Sequence, residues 1–212
     1  MTDLSTYVVT DTALCGPRGV PAVVAAAVRG GATCVQVRDK TASTRALLGL
    51  VEAVVAVAGD VPVLVDDRLD VALAARAQGT RLAGLHVGQS DLPAPLARSL
   101  LWPGALLGLS VGTLEQLHEV LSWPDGTVDH LGVGPVLATP TKPDHDVAIG
   151  VEGAAAVATA SPVPCVAIGG LHAGLAGPLR RAGLAGAAYV SAVCAADDPE
   201  AATRTLAQAW RA

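Results

Sequence analysis

Eight short runs of apolar, mostly β-branched residues recur along the chain at intervals of roughly 20 to 35 residues, and this repetition restricts the fold more than any other feature. The runs are Tyr7-Val8-Val9-Thr10, Cys34-Val35-Gln36-Val37-Arg38, Val63-Leu64-Val65-Asp66, Gly84-Leu85-His86-Val87, Leu106-Leu107-Gly108-Leu109-Ser110, His130-Leu131-Gly132-Val133-Gly134, Cys165-Val166-Ala167-Ile168 and Ala188-Tyr189-Val190-Ser191. Most are continuous in hydrophobicity, as strands buried on both faces of a parallel sheet should be. Between them lie Ala/Leu-rich segments with helical spacing: Thr44 to Ala58, Asp70 to Ala77, Leu114 to Leu121, Val151 to Ala158 and Pro199 to Trp210. Asp198 followed by Pro199 is a good helix start.

Strand–helix alternation repeated eight times in 212 residues predicts the α/β class and a single (β/α)8 TIM barrel near its lower size limit, one domain over residues 1–212. The competing architecture is an open doubly wound sheet, which carries a glycine-rich fingerprint after its first strand. Here Thr10-Asp11-Thr12-Ala13 follows instead, and the one G-x-G, Gly132-Val133-Gly134, runs into Pro135, so no dinucleotide site is expected.

The chain is 51% hydrophobic and 16% charged, a globular composition, and its net charge of −5 argues against a nucleic-acid binder. Phosphate binding must therefore be local, through a few groups or a metal ion. No stretch of about 20 residues is free of both charge and helix breakers, so no membrane partner is expected. The start lacks a basic region followed by an apolar run, so no secretory signal is expected. Cys15, Cys34, Cys165 and Cys194 are widely spaced with no C-x-x-C pair and read as buried free thiols of a cytoplasmic protein. Homo-oligomerisation stays open, because an apolar Ala/Leu helix face serves a core or an interface equally well.

A barrel directs attention to polar residues at the C-terminal ends of its strands. Gln36, Arg38 and Lys40 follow the second run, Asp66 and Asp67 the third, and Gly88-Gln89-Ser90-Asp91 the fourth. Ser110 ends the fifth run; Thr139, Thr141 and Lys142 follow the sixth, in the longest polar insertion, Ala138 to Ile149. Lys40 and Lys142 are the only lysines among 14 basic residues, and a compact ammonium beside hydrogen-bonding side chains suits phosphate. They read equally as two surface lysines.

Asp67 and Asp91 lie beyond adjacent strands and can meet across the rim. Two carboxylates with a lysine and an arginine nearby suggest Mg²⁺ bridging a diphosphate. Asp66, Asp67, Arg68 and Asp70 also read as a solvated ion-pair network. Gly169-Gly170 after the seventh run and Val190-Ser191 at the eighth match the usual barrel phosphate site, although the glycines alone also suit a tight strand–helix turn. His86 reads as a core or rim residue, and His118, His130, His145 and His172 show no metal spacing.

In this order and spacing, the segments Val35 to Lys40, Asp66 to Asp70, His86 to Asp91, Gly108 to Val111, Gly132 to Pro135, Thr139 to Pro143 and Ala167 to Gly170 resemble the thiamine-phosphate synthase family over almost the whole chain. The resemblance implies a (β/α)8 barrel transferase of thiamine biosynthesis that uses Mg²⁺. It would join a hydroxymethylpyrimidine diphosphate to a thiazole phosphate and release diphosphate. It also implies that Gln36, Val37, Arg38, Asp39, Lys40, Asp66, Ser110 and Lys142 hold the pyrimidine diphosphate. Arg38, Lys40, Ser110 and Lys142 would do the catalytic work, and Asp67 and Asp91 would hold Mg²⁺. Thr139, Pro140, Thr141, Gly170, Val190 and Ser191 would line the thiazole-phosphate site. One departure stands out: the family has Asn-Asp where this chain has Asp66-Asp67, so a hydrogen-bond donor is replaced by a carboxylate, offset by Mg²⁺ or Arg68. Two rival readings remain, a thiazole tautomerase-like isomerase and a catalytically silent barrel that binds phosphorylated metabolites.

Overall fold

The computed structural model of the chain describes residues 2–138 and 147–212. Its strands are β1 (Thr6–Val9), β2 (Cys34–Val37), β3 (Val63–Asp66), β4 (Gly84–Val87), β5 (Leu106–Val111), β6 (His130–Val133), β7 (Cys165–Ile168) and β8 (Gly186–Tyr189). The helices, in chain order, are α1 (Thr12–Cys15), α2 (Val20–Gly30), α3 (Thr44–Ala58), α4 (Leu69–Ala77), α5 (Ala94–Leu100), α6 (Leu114–Leu121), α7 (Gly150–Ala160), α8 (Ala173–Arg181), α9 (Ser191–Cys194) and α10 (Pro199–Arg211). Each strand pairs in parallel with the next, and β8 pairs with β1 through Thr6 and Ala187, Tyr7 and Ala188, and Val8 and Tyr189, which closes the barrel.

Alternation along each strand builds two cores. Val8, Val35, Val37, Val65, Leu85, Leu107 and Leu131 point outward and are fully buried against helix residues such as Val24, Leu47, Val54, Leu117 and Leu179. Tyr7, Val9, Cys34, Leu64, Val166 and Ala188 fill the inside. Burying each outward Val or Leu removes it from water at a gain of about 1.5–3 kcal/mol, which is what drives a Val-rich segment into the sheet layer.

Several helices begin where a side chain can accept from an orphan backbone amide. Ser43 accepts from Ala46 N at 3.3 Å, Thr113 from Gln116 N at 3.2 Å and Asp198 from Ala201 N at 3.0 Å. The five helices expected from apolar spacing are present, with α4, α7 and α10 longer than expected. The helices α2, α5 and α8 were not foreseen: Pro21, Pro93 and Pro178 obscure their periodicity, and burial of Val24, Ala97 and Leu179 overrides weak local preference. The eighth strand is also shifted. It begins at Gly186 and ends at Tyr189, so Ser191 opens α9 instead of closing the strand.

Backbone packs closely on backbone at Gly84, where an added Cβ would lie 1.9 Å from the carbonyl oxygen of Leu106. Backbone cannot swing aside as a flexible side chain can. Gly84→Ala is therefore expected to cost about 3 kcal/mol, the upper end of overpacking effects. Urea unfolding should show a lower midpoint at unchanged slope.

Candidate active site

The C-terminal ends of the strands open into a cavity of about 920 Å³. Gln36, Arg38, Asp39, Lys40, Asp66, Asp67, Asp91 and Ser110 form one wall, and Gly169, Gly170, Val190 and Ser191 the other. Tyr7, His86, His130, Val166 and Ile168 lie between them. Thus the positions expected on the second to fifth strands and on the last two converge. Thr139, Pro140, Thr141 and Lys142 lie outside the described residues. Val37 does not contribute a side chain: the period of two along β2 turns it outward, fully buried in the outer core.

The charged wall is organised around Asp66, at the inward-facing end of β3. Gln36 Nε2 donates to Asp66 Oδ1 at 2.5 Å, while Arg38 Nε and Lys40 Nζ lie 3.5 and 3.9 Å from Asp66 Oδ2. Burial and the neighbouring charge of Asp67 push the Asp66 carboxyl up to about 7, against the pull of Lys40 and Arg38. Asp67 follows with φ of 59°, in the left-handed region that Asp tolerates. This twist sends the Asp67 carboxylate into the cavity, where it is ion-paired with Lys40 and hydrogen-bonded with Asp91.

The same twist divides the suspected ion-pair network. Arg68 turns away, donating from Nε and Nη2 to Asp70 at 2.8 and 2.6 Å and from Nη2 to Thr44 Oγ1 at 2.6 Å. The solvated-network reading therefore holds for Arg68 and Asp70, whereas Asp66 and Asp67 face the cavity. Asp66 is offset by Gln36, Arg38 and Lys40, not by Arg68.

Asp67 and Asp91 have opposite responses to their contact. Asp67 is held below the usual carboxylate range: burial works upward, but hydrogen bonds with Asp91 and Lys40 outweigh it. Asp91 is raised, first by burial and then by Asp67, although Gly88 N–H donates to its Oδ2 at 2.8 Å. Two touching carboxylates pushed apart in this way form a hard-oxygen pair short of positive charge. That suits a divalent cation taking two carboxylates and completing its shell with water and substrate oxygens. Among the described residues no group of three or more His, Cys, Asp or Glu is arranged to hold a metal ion, so such a site would depend on substrate oxygens.

Asp39 has a different job. Its Oδ1 accepts from Thr41 N, Thr41 Oγ1 and Ala42 N at 2.9, 3.0 and 2.9 Å, which shapes the loop carrying Lys40. Three further contributors were given no role from the sequence, although Gln89 was placed at its strand end. Asp11 Oδ2 lies 3.6 Å from Arg38 Nη1, His86 Nε2 shares a 3.0 Å hydrogen bond with Ser110 Oγ, and Gln89 Nε2 donates to the Ser110 carbonyl at 2.6 Å. Inward alternation at β4 is the signal that would have placed His86 in the cavity.

On the opposite wall Gly169 and Gly170 have φ of 103° and 64°. A Cβ at Gly170 would lie 2.8 Å from Leu137 Cβ and 3.2 Å from the Ala138 carbonyl. Both backbone shape and close approach therefore require glycine, and the turn reading and the open phosphate surface are compatible.

The chain matches the family model described as thiamine monophosphate synthase over residues 6–193. A thiamine-phosphate synthase of Psychrobacter sp. (strain PRwf-1) is 45% identical over 204 residues, covering 96% of this chain and 93% of the relative. One from Albidiferax ferrireducens is 46% identical, covering 97% and 91%. The solved thiamine phosphate pyrophosphorylase of Pyrococcus furiosus superposes with a TM-score of 0.85 at 33% identity, covering 99% of this chain and 96% of that one. A 3-hexulose-6-phosphate synthase, at 20% identity and a TM-score of 0.64, shares the fold alone.

The raised Asp66 gives a measurable pH dependence. Folded Asp66 keeps its proton up to about pH 7, whereas the unfolded carboxyl loses it near pH 4, so this group's destabilisation grows as pH rises through that window. In urea unfolding, the advantage of Asp66→Asn over wild type should be larger at pH 7.5 than at pH 4.5 by on the order of 1–3 kcal/mol. An equal advantage at both pH values would contradict the account.

Proposed function

The chain belongs to the thiamine monophosphate synthase family, and from that premise we propose how the mouth of its barrel carries out the family's reaction. The activity is that of a thiamine-phosphate synthase: a hydroxymethylpyrimidine diphosphate is joined to a thiazole phosphate and diphosphate is released. The observation that carries the site assignment is the division of one cavity into a charged wall on β2–β5 and a glycine wall on β7–β8.

The charged wall receives the pyrimidine diphosphate. Arg38, Lys40 and Lys142 neutralise charge that accumulates on the departing diphosphate, and the Ser110 hydroxyl, oriented by His86, donates to it. Gln36 and Asp66 face the pyrimidine ring. Asp67 and Asp91 would hold Mg²⁺, which would supply charge neutralisation for the diphosphate. Gly170, Val190 and Ser191, with Thr139, Pro140 and Thr141, anchor the thiazole phosphate.

The chemistry is dissociative. The carbon–oxygen bond to diphosphate breaks, the electron-rich pyrimidine stabilises the methylene cation, and the thiazole nitrogen attacks it. No protein nucleophile is required. The protein contributes electrostatic stabilisation and the alignment of two substrates, the latter being the larger entropic obstacle.

With both substrates and Mg²⁺ present, the protein should release diphosphate, and EDTA should stop the release. Lys142→Ala should remain folded by circular dichroism and lose about 100-fold or more in turnover, as for other electrostatic donors to a developing anion. Near-wild-type turnover would remove that lysine from the mechanism. Asp66→Asn should leave turnover unchanged or raise it, and a large loss would mean the carboxylate has been recruited. Retained binding of thiazole phosphate without diphosphate release would favour a non-synthase barrel.

A further inference from the structure

The connection from β1 to α2 carries a motif that the site assignment leaves without a role, Gly16-Pro17-Arg18-Gly19. Gly16 and Gly19 have φ of 56° and 74°, Pro17 fixes its own φ between them, and Gly19 N–H donates to the Gly16 carbonyl at 3.1 Å. The result is a stiff 3-10 turn bearing one long side chain, Arg18. That side chain reaches out of its own connection. Its Nη2 donates to the Cys194 carbonyl at 3.1 Å, and its Nη1 to the carbonyls of Ala196 and Asp197 at 2.5 and 3.2 Å. One guanidinium thus gathers three backbone acceptors at the end of α9, from 176 to 179 positions away in sequence.

The helix α9 needs such a partner. It is a single turn of four residues, too short to hold its own shape, and the carbonyls that follow it must be satisfied from elsewhere. No side-chain hydrogen bond caps its start at Val190. Its other anchors are the burial of Val193 and Cys194 and a weak bond from Cys194 Sγ to the Val9 carbonyl at 3.6 Å. The planar fork of arginine reaches several acceptors at once, as a lysine ammonium does not, and its charge complements the negative end of a helix.

Both of the joined elements stand on the rim of the cavity. Thr12 and Ala13 line it on the α1 side, and Val190, Ser191 and Ala192 on the α9 side. They are anchored unequally. The α1 side is tied to β2: Thr10 N–H donates to the Gln36 carbonyl at 2.9 Å, Arg38 N–H donates to Thr10 Oγ1 at 3.0 Å, and Leu14 N–H donates to Asp11 Oδ1 at 3.0 Å. The α9 side has Arg18 and two buried side chains. We propose that Arg18 is a positioning residue for capture of the thiazole phosphate: its guanidinium staples the end of α9 to the β1–α2 connection and so fixes Val190 and Ser191 against the charged wall. The proposal rests on the site assignment above. Arg18 is not among the residues that line the cavity, so it acts through α9 and not on substrate.

The test pairs hydrogen exchange on the wild-type protein with steady-state kinetics of two variants. Thiazole phosphate should slow amide exchange in residues 190–197 and also in residues 14–20, none of which lines the cavity, because the staple makes the two segments open together. In Arg18→Met, which keeps an apolar stem and removes every donor, the protection at 14–20 should disappear. Its KM for thiazole phosphate should rise about fivefold or more, within the roughly 100-fold that a 1 Å misplacement can cost. Its KM for the pyrimidine diphosphate should move less than about twofold, because the charged wall keeps its own anchors. Arg18→Lys, with the charge but no fork, should fall between wild type and Arg18→Met. A lower unfolding midpoint with both KM values unchanged would overturn the proposal and leave Arg18 as a cap that serves stability alone. Protection at 190–197 without protection at 14–20 in wild type would also overturn it, and that outcome needs no variant to fold. Thiazole phosphate that binds without protecting either segment would remove the assignment of its phosphate to the α9 side, and the proposal with it, so the two failures are told apart.

Discussion

Closure of eight parallel strands is the constraint from which the rest of this molecule follows. A sheet that pairs its last strand with its first leaves no edge to be satisfied elsewhere. Because all the strands run the same way, every C-terminal end arrives at one mouth. Alternation then sorts side chains with no further instruction: Val35 and Val37 go outward to the helices, and Cys34 and Gln36 go inward. The narrow interior limits what can be placed there. In register, Asp66 faces His86, His86 faces Gly108 and Gly108 faces His130. The missing side chain at Gly108 is what lets the two imidazoles approach to a centroid distance of 5.6 Å.

Charge at this mouth is balanced against stability. Asp11, Asp66, Asp67 and Asp91 meet only Arg38 and Lys40 among the described cations of the cavity wall. The result is visible in opposite shifts of neighbouring carboxyls, Asp66 and Asp91 raised and Asp67 lowered. A purely structural surface would not retain this arrangement, since neutral side chains would fold more favourably. Excess carboxylate would suit a divalent cation arriving with a diphosphate, and its cost to the fold follows from the same geometry.

Much of the architecture was legible because buried parallel strands are written as uninterrupted β-branched runs, and seven of the eight observed strands begin within a residue of the expected position. The eighth was displaced because Gly186, Ala187 and Ala188 carry little hydrophobic signal, so its start looked like a turn. Among the site residues, charged groups at strand ends were legible because polarity interrupts an apolar run. What stayed hidden depended on direction. Val37 looked like part of the Gln36–Lys40 cluster although the pleat turns it away, and His86 read as core or rim until the pleat placed it in the cavity. Asp67 and Arg68 are adjacent in sequence, but a left-handed backbone at Asp67 sends them to different faces. No local pattern in the sequence encodes that twist, because Asp tolerates the left-handed region without requiring it.

The separation of the two walls has a physical consequence for a reaction between two phosphorylated molecules. Both substrates are anions, and bringing their phosphates together in a partly dehydrated cavity would oppose the approach of the reacting atoms. If the charged wall takes the diphosphate, Arg38 and Lys40 just beyond β2 would neutralise it locally, while backbone amides around Gly170 and Val190 would receive the other substrate without adding a mobile charge. The region between is lined by His86, His130 and Val166, which are buried, and by Ile168, which is partly buried; none is a lysine or arginine. His130 is held neutral there, burial lowering its pKa to about 4. The middle of the cavity carries no lysine or arginine, so it separates the two walls without a fixed cation. The order of strands around the barrel fixes which ends face each other across the mouth.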